Sequence, residues 1–65
     1  MNKYLVVWAD IYGVSPSVVE TGKDPNGIPD FEWVKMAAEA EEIEIKDSRS
    51  PYLVLVIDYP EKFYV

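Results

Sequence analysis

The chain contains no cysteine and no histidine. Their absence excludes thiol nucleophiles, disulfides, imidazole bases and the common zinc sites together. A small domain without disulfides fits a reducing compartment, so a cytoplasmic location is the expectation. Long apolar runs near the N-terminus are missing as well. Leu5 to Ala9 is stopped by Asp10, which is too short for a secretory core or a membrane span. Asn2 stands where myristoylation requires glycine. The expectation is a mature, soluble chain with no membrane partner. Basic residues are scarce, with six Lys and Arg against twelve Asp and Glu and a net charge of −6. Binding to a phosphate backbone depends on Lys and Arg, so nucleic acid and anionic lipid are disfavoured as direct ligands. The favoured partner is a protein with a basic surface.

What remains is a chain of 65 residues, 49% hydrophobic and 14% aromatic. That composition is too apolar for a disordered tail. The length supports one hydrophobic core and no more, so residues 1–65 are read as a single domain. Its stability margin is thin at this size, and a partner or twin subunit would add to it. There is no internal repeat and no low-complexity segment.

Lys3 to Tyr12 is rich in β-branched and aromatic residues and reads as a strand. Leu5, Val7, Ala9 and Ile11 form one of its faces, and Tyr4, Val6, Trp8 and Tyr12 the other. A strand apolar on both faces belongs in the centre of a sheet or is covered twice. Gly13 ends it, and Val14 to Thr21 continues as a second strand. Pro16 cannot donate to a ladder, so this strand is an edge or starts after the proline. Gly22 to Pro29 is dense in turn residues. Asp30 suits an N-cap for a helix over Phe31–Glu42. On that helix Glu32, Lys35, Glu39 and Glu42 share one arc, and Trp33, Val34, Met36, Ala37, Ala38 and Ala40 fill most of the rest. Ile43 to Lys46 alternates with period two and reads as a strand. Asp47 to Pro51 is a turn, Tyr52 to Tyr59 is the strongest strand, and Phe63-Tyr64-Val65 is an apolar tail suited to a further short strand. The fold class is α+β, a two-layer β-β-α-β-β unit: a small, mainly antiparallel sheet with one helix on one face.

Two surfaces are candidate sites. The segment from Asp30 to Asp47 holds seven acids against two bases, enough to meet Arg and Lys on a partner or to imitate a row of phosphates. Glu32, Glu39, Glu42 and Glu44 are its candidate contacts. The blander account is a solvated helix face with Lys35 paired to Glu32 and Glu39. The second surface is the sheet face that one helix leaves bare. If the first and last strands pair, Tyr4, Val6, Trp8, Val54 and Val56 lie side by side there. Tyr4, Trp8 and Val56 are the candidate contacts. Either a partner or second copy covers that face, or the C-terminal tail or the Gly22–Pro29 loop folds over it.

Other chemistry finds little footing. Placing Gly27 at the turn glycine of an EF-hand puts Gly22 and Trp33 at the first and last ligand positions, where acids are required. Ser15, Ser17, Ser48 and Ser50 have no histidine and no convincing lysine to activate them. A carboxylate pair needs a cleft that so small a domain does not foresee. The chain is read as a non-enzyme without cofactor or metal.

The strand Tyr4-Leu5-Val6-Val7-Trp8-Ala9 and the Ala-rich helix Val34-Lys35-Met36-Ala37-Ala38-Glu39-Ala40, with acidity and short length, resemble small inhibitor proteins. These are the proteins that bacteriophages and mobile elements encode against host defence, including some anti-CRISPR proteins. The resemblance is one of architecture and carries over no functional residue. It implies stoichiometric inhibition by occupying a nucleic-acid-binding or assembly surface of a host complex. The expected function is thus an acidic protein-binding inhibitor. The alternative is a self-associating assembly protein, a homodimer through the outer sheet face.

Overall fold

The computed structural model describes residues 1–45 and 51–59. Its elements are β1 (Asn2–Asp10), β2 (Gly13–Thr21), α1 (Asp30–Ala40) and β3 (Tyr52–Asp58), with one 3-10 turn at Pro25–Gly27 before the helix. Among the described residues the sheet has three strands in the order β2-β1-β3, and both pairings are antiparallel. The α+β class and the single covering helix agree with the sequence. So does the central place of β1, the strand that is apolar on both faces. β2 and β3 flank it and run parallel to each other, and α1 carries the chain from one edge to the other.

The β1–β2 hairpin closes through side-chain chemistry. The backbone N–H of Tyr12 donates to Asp10 Oδ1 at 2.8 Å, an Asx turn that reverses the chain locally. Gly13 then takes φ 133°, a conformation that side-chain-bearing residues rarely adopt. Pro16 lies within β2 opposite Val7, and the strand tolerates it because it is an edge. The turn-rich loop that follows is held by Asp24 Oδ1 accepting from the Asn26 N–H at 3.0 Å.

The helix differs from expectation at both ends. Asp30 is its first residue rather than its cap, and the N-cap is Pro29, which offers no side-chain hydrogen bond. Asp30 and Glu32 instead act on the first turn by charge, where the helix dipole favours acids. At the other end the helix stops at Ala40, short of Glu42. The Ile43 N–H donates to Ala38 O at 2.8 Å and the Glu42 N–H to Glu39 O at 3.1 Å. These two bonds make a Schellman ending with Glu42 in the left-handed region at φ 56°.

That ending corrects the strand expected at Ile43 to Lys46. Ile43 to Ile45 joins no ladder, yet Ile43 and Ile45 pack against the core while Glu44 is exposed. The period-two alternation marks burial here and not strand pairing. Lys46 and the Phe63–Val65 tail lie outside the described residues.

The core lies between α1 and one face of the sheet. Tyr4, Val6 and Trp8 of β1, Val19 of β2, Ile28, and Trp33, Val34, Ala37 and Ala38 of α1 form it. Val6 is fully buried and Trp8 is 1% exposed. The Tyr4 and Trp33 rings meet edge to face, with centroids 5.3 Å apart, a favoured aromatic geometry. Ala37 and Ala38 contribute little volume, so the large rings of β1 and Trp33 fill the layer between helix and sheet. Interiors pack to crystal-like density, and small residues on one element require large ones opposite.

Candidate functional site

The face assignment of the sheet is the reverse of the expected one. Tyr4 and Trp8, expected on the bare outer face, are sealed under the helix at 6% and 1% exposure. Val56 pairs with Val6 and packs half-buried against the same core. None of the three is presented as an outer-face contact. The physical cause is volume: an alanine-lined helix needs the bulky side of β1 beneath it.

A second cause is polar. Burying an indole requires an acceptor for its N–H. Trp8 Nε1 donates to Ser17 Oγ at 3.2 Å, and Ser17 is itself 2% exposed. Ser17 and Thr21 of β2 thus lie inside together with Val19, while Val14, Pro16 and Val18 lie outside.

Among the described residues one helix still leaves one face uncovered, and it is the aliphatic one. In register, Leu5 sits between Val18 and Ile57, and Val7 between Pro16 and Leu55. Val14, Val18, Leu55 and Ile57 are 66%, 37%, 49% and 40% exposed, while Leu5 and Val7, flanked on both sides, are half-buried. A register shift between Val7 and Trp8 leaves Val54 out of the β1 pairing and exposed. The charged residues in register on this face are Lys3 and Glu20. They are cross-strand partners with Nζ and Oε1 3.4 Å apart. Among the described residues this face is therefore largely apolar, its one cross-strand ion pair locally neutral.

The acids lie on the other layer. Between Asp30 and Glu44 there are six acids and one base, Lys35. Glu32 is half-buried and its Oε1 is 3.4 Å from Lys23 Nζ. Glu39, Glu42 and Glu44 are exposed at and beyond the C-terminal end of the helix. Glu32 stands near the start of the helix, most of its length away from Glu39. Charge and apolar surface do not share a rim, as expected from sequence; they occupy opposite sides of the molecule.

Near the start of β3 a shallow, open depression of about 300 Å³ is lined by Asp30, Phe31, Val34, Pro51, Tyr52 and Leu53. Its lining sets one carboxylate, Asp30, and one phenol, Tyr52, among apolar walls. Sequence reasoning missed Val18, Leu55 and Ile57 as a surface. Their signal was available in β2, where Ser15, Ser17, Val19 and Thr21 alternate with Val14, Pro16, Val18 and Glu20. No protein-family model, curated protein or solved structure gives a significant match to this chain.

Proposed function

We propose that this chain is a non-catalytic binding module whose working surface is the uncovered sheet face. The observation that carries the reading is the run Leu5, Val7, Val18, Leu55 and Ile57, spread across three strands with no helix over it among the described residues. Contiguous exposed apolar surface of this kind marks a contact site, because leaving it in water forfeits about 25 cal/mol for each Å². A domain this small has little other apolar area with which to hold a partner.

Leu55→Lys and Val18→Lys test the reading, since a lysine on an exposed strand position costs the fold about 0.5 kcal/mol or less. Each variant is expected to keep its thermal transition and to lose association, whether with itself or with a protein captured by the wild type. Variants that associate as the wild type does would contradict the reading.

The segregated acids favour a second reading. The chain acts as an inhibitor in the cytoplasm by laying its acidic helix layer on a basic, nucleic-acid-binding protein surface, as the resemblance to phage-encoded inhibitors implies. Such binding would weaken steeply with salt, and Glu39→Gln, Glu42→Gln and Glu44→Gln together would flatten that dependence. Binding indifferent to salt and to these changes would exclude it.

A further inference from the structure

The depression at the start of β3 gathers a carboxylate and open aromatic surface in one place. Val34 is buried and Pro51 and Leu53 are half-buried, so these three supply its enclosed side. Asp30, Phe31 and Tyr52 are exposed, the two rings at 75% and 59%. No basic residue lines it among the described residues. Asp30 belongs to neither ion pair found among them, since Lys3 meets Glu20 and Lys23 meets Glu32. Its carboxylate is open to a ligand.

The lining discriminates between kinds of ligand. An anion is repelled by Asp30 and by the net charge of −6. The positive end of the helix dipole, which would otherwise attract one, already faces Asp30 and Glu32 in the first turn. A sugar needs several convergent hydrogen bonds, and the polar side chains here are one carboxylate and one phenol. A purely apolar group would strip water from the carboxylate and return nothing. A cation meets none of these objections. Ring faces carry the negative part of the aromatic quadrupole, and Asp30 adds a full charge beside them.

We propose that this depression takes an arginine side chain of a partner protein. Its volume of about 300 Å³ is at the small end for a binding pocket, with room for one long side chain and not for a folded element. Guanidinium suits it better than ammonium. The planar group stacks on aromatic faces, offers paired N–H donors to a carboxylate, and sheds water more readily. The site lies between α1 and β3, apart from the uncovered sheet face. Asp30 is the first residue of the helix, whereas Glu39 is close to its last. The inference therefore rests on neither reading given above, and its failure would leave both standing.

Capped arginine (the N-acetyl methylamide) titrated into the full chain, followed by ring and methyl NMR shifts, tests the assignment. Capped citrulline, of the same shape without the charge, is the control. Saturable shifts are expected at Phe31, Val34, Tyr52 and Leu53, with a dissociation constant of roughly 1–20 mM. Citrulline should bind about fivefold more weakly or worse. Asp30→Asn should weaken arginine binding about threefold to tenfold, and Phe31→Ala about twofold to fivefold. Should Phe31→Ala fail to fold, Asp30→Asn and the citrulline comparison decide. Equal binding of citrulline, or stronger shifts of the same residues by methyl glucoside, overturns the cation site. Tetramethylammonium or capped lysine binding more tightly than capped arginine overturns the choice of arginine. Shifts centred on Glu39, Glu42 and Glu44 would show diffuse counter-ion binding and overturn the site altogether.

Discussion

Among the described residues Trp8 is the largest fully enclosed side chain, and its ring carries a polar N–H into the core. Ser17 Oγ, 3.2 Å away on the neighbouring strand, accepts its hydrogen bond. Removing the acceptor strands a buried donor, which costs about 1–3 kcal/mol. A domain of this length has roughly 3–10 kcal/mol in total. Ser17→Ala is therefore expected to lower the stability measured by urea unfolding by about 1–3 kcal/mol. A loss under about 0.5 kcal/mol would mean that the indole finds water or another acceptor. The same pair explains why Trp8 cannot serve as an outer contact. Truncating it to Ala would cost about 3–5 kcal/mol and report on folding alone.

Among the elements, α1 ends in an unusual way. Its Schellman turn places Glu42 at φ 56°, where a side chain costs roughly 1 kcal/mol and glycine costs almost nothing. No basic residue stands in the last turn, so Glu42 also faces the negative end of the helix dipole. Glu42→Gly is expected to raise stability by about 0.5–1 kcal/mol, a rise of roughly 3–8 °C in the melting temperature. A lower melting temperature would show that Glu42 leaves that conformation in solution. The ending is also where sequence patterning loses its grip. Helical periodicity runs through Glu42 and strand-like alternation begins at Ile43, but neither pattern contains the two backbone bonds that stop the helix at Ala40. Ile43 and Ile45 are half-buried as alternation suggests, and they reach the core without joining a ladder.

At the scale of the whole molecule, what the sequence made legible was the layer plan: a central β1, an edge strand with Pro16, one amphipathic helix, and β3 beside β1. Which side of the sheet the helix covers was not legible from β1, since both of its faces are apolar and period two cannot rank them. The information lay in complementarity between elements. Alanines on the helix call for rings beneath them, and an indole calls for the hydroxyl of Ser17. The acidic candidates divided similarly. Glu39, Glu42 and Glu44 are exposed, while Glu32 is half-buried and pairs with Lys23 of the preceding loop, a contact no helical wheel contains.

The central claim is that the aromatic side of the sheet is sealed and the aliphatic side is open to a partner. Methyl NMR in the presence of a soluble paramagnetic agent, at a concentration where any weak association is dissociated, tests it most directly. The account predicts strong relaxation of the Val18, Leu55 and Ile57 methyls and little for those of Val6, Val19 and Val34. Strong relaxation of Val6 and Val19, with Val18, Leu55 and Ile57 protected, would contradict it.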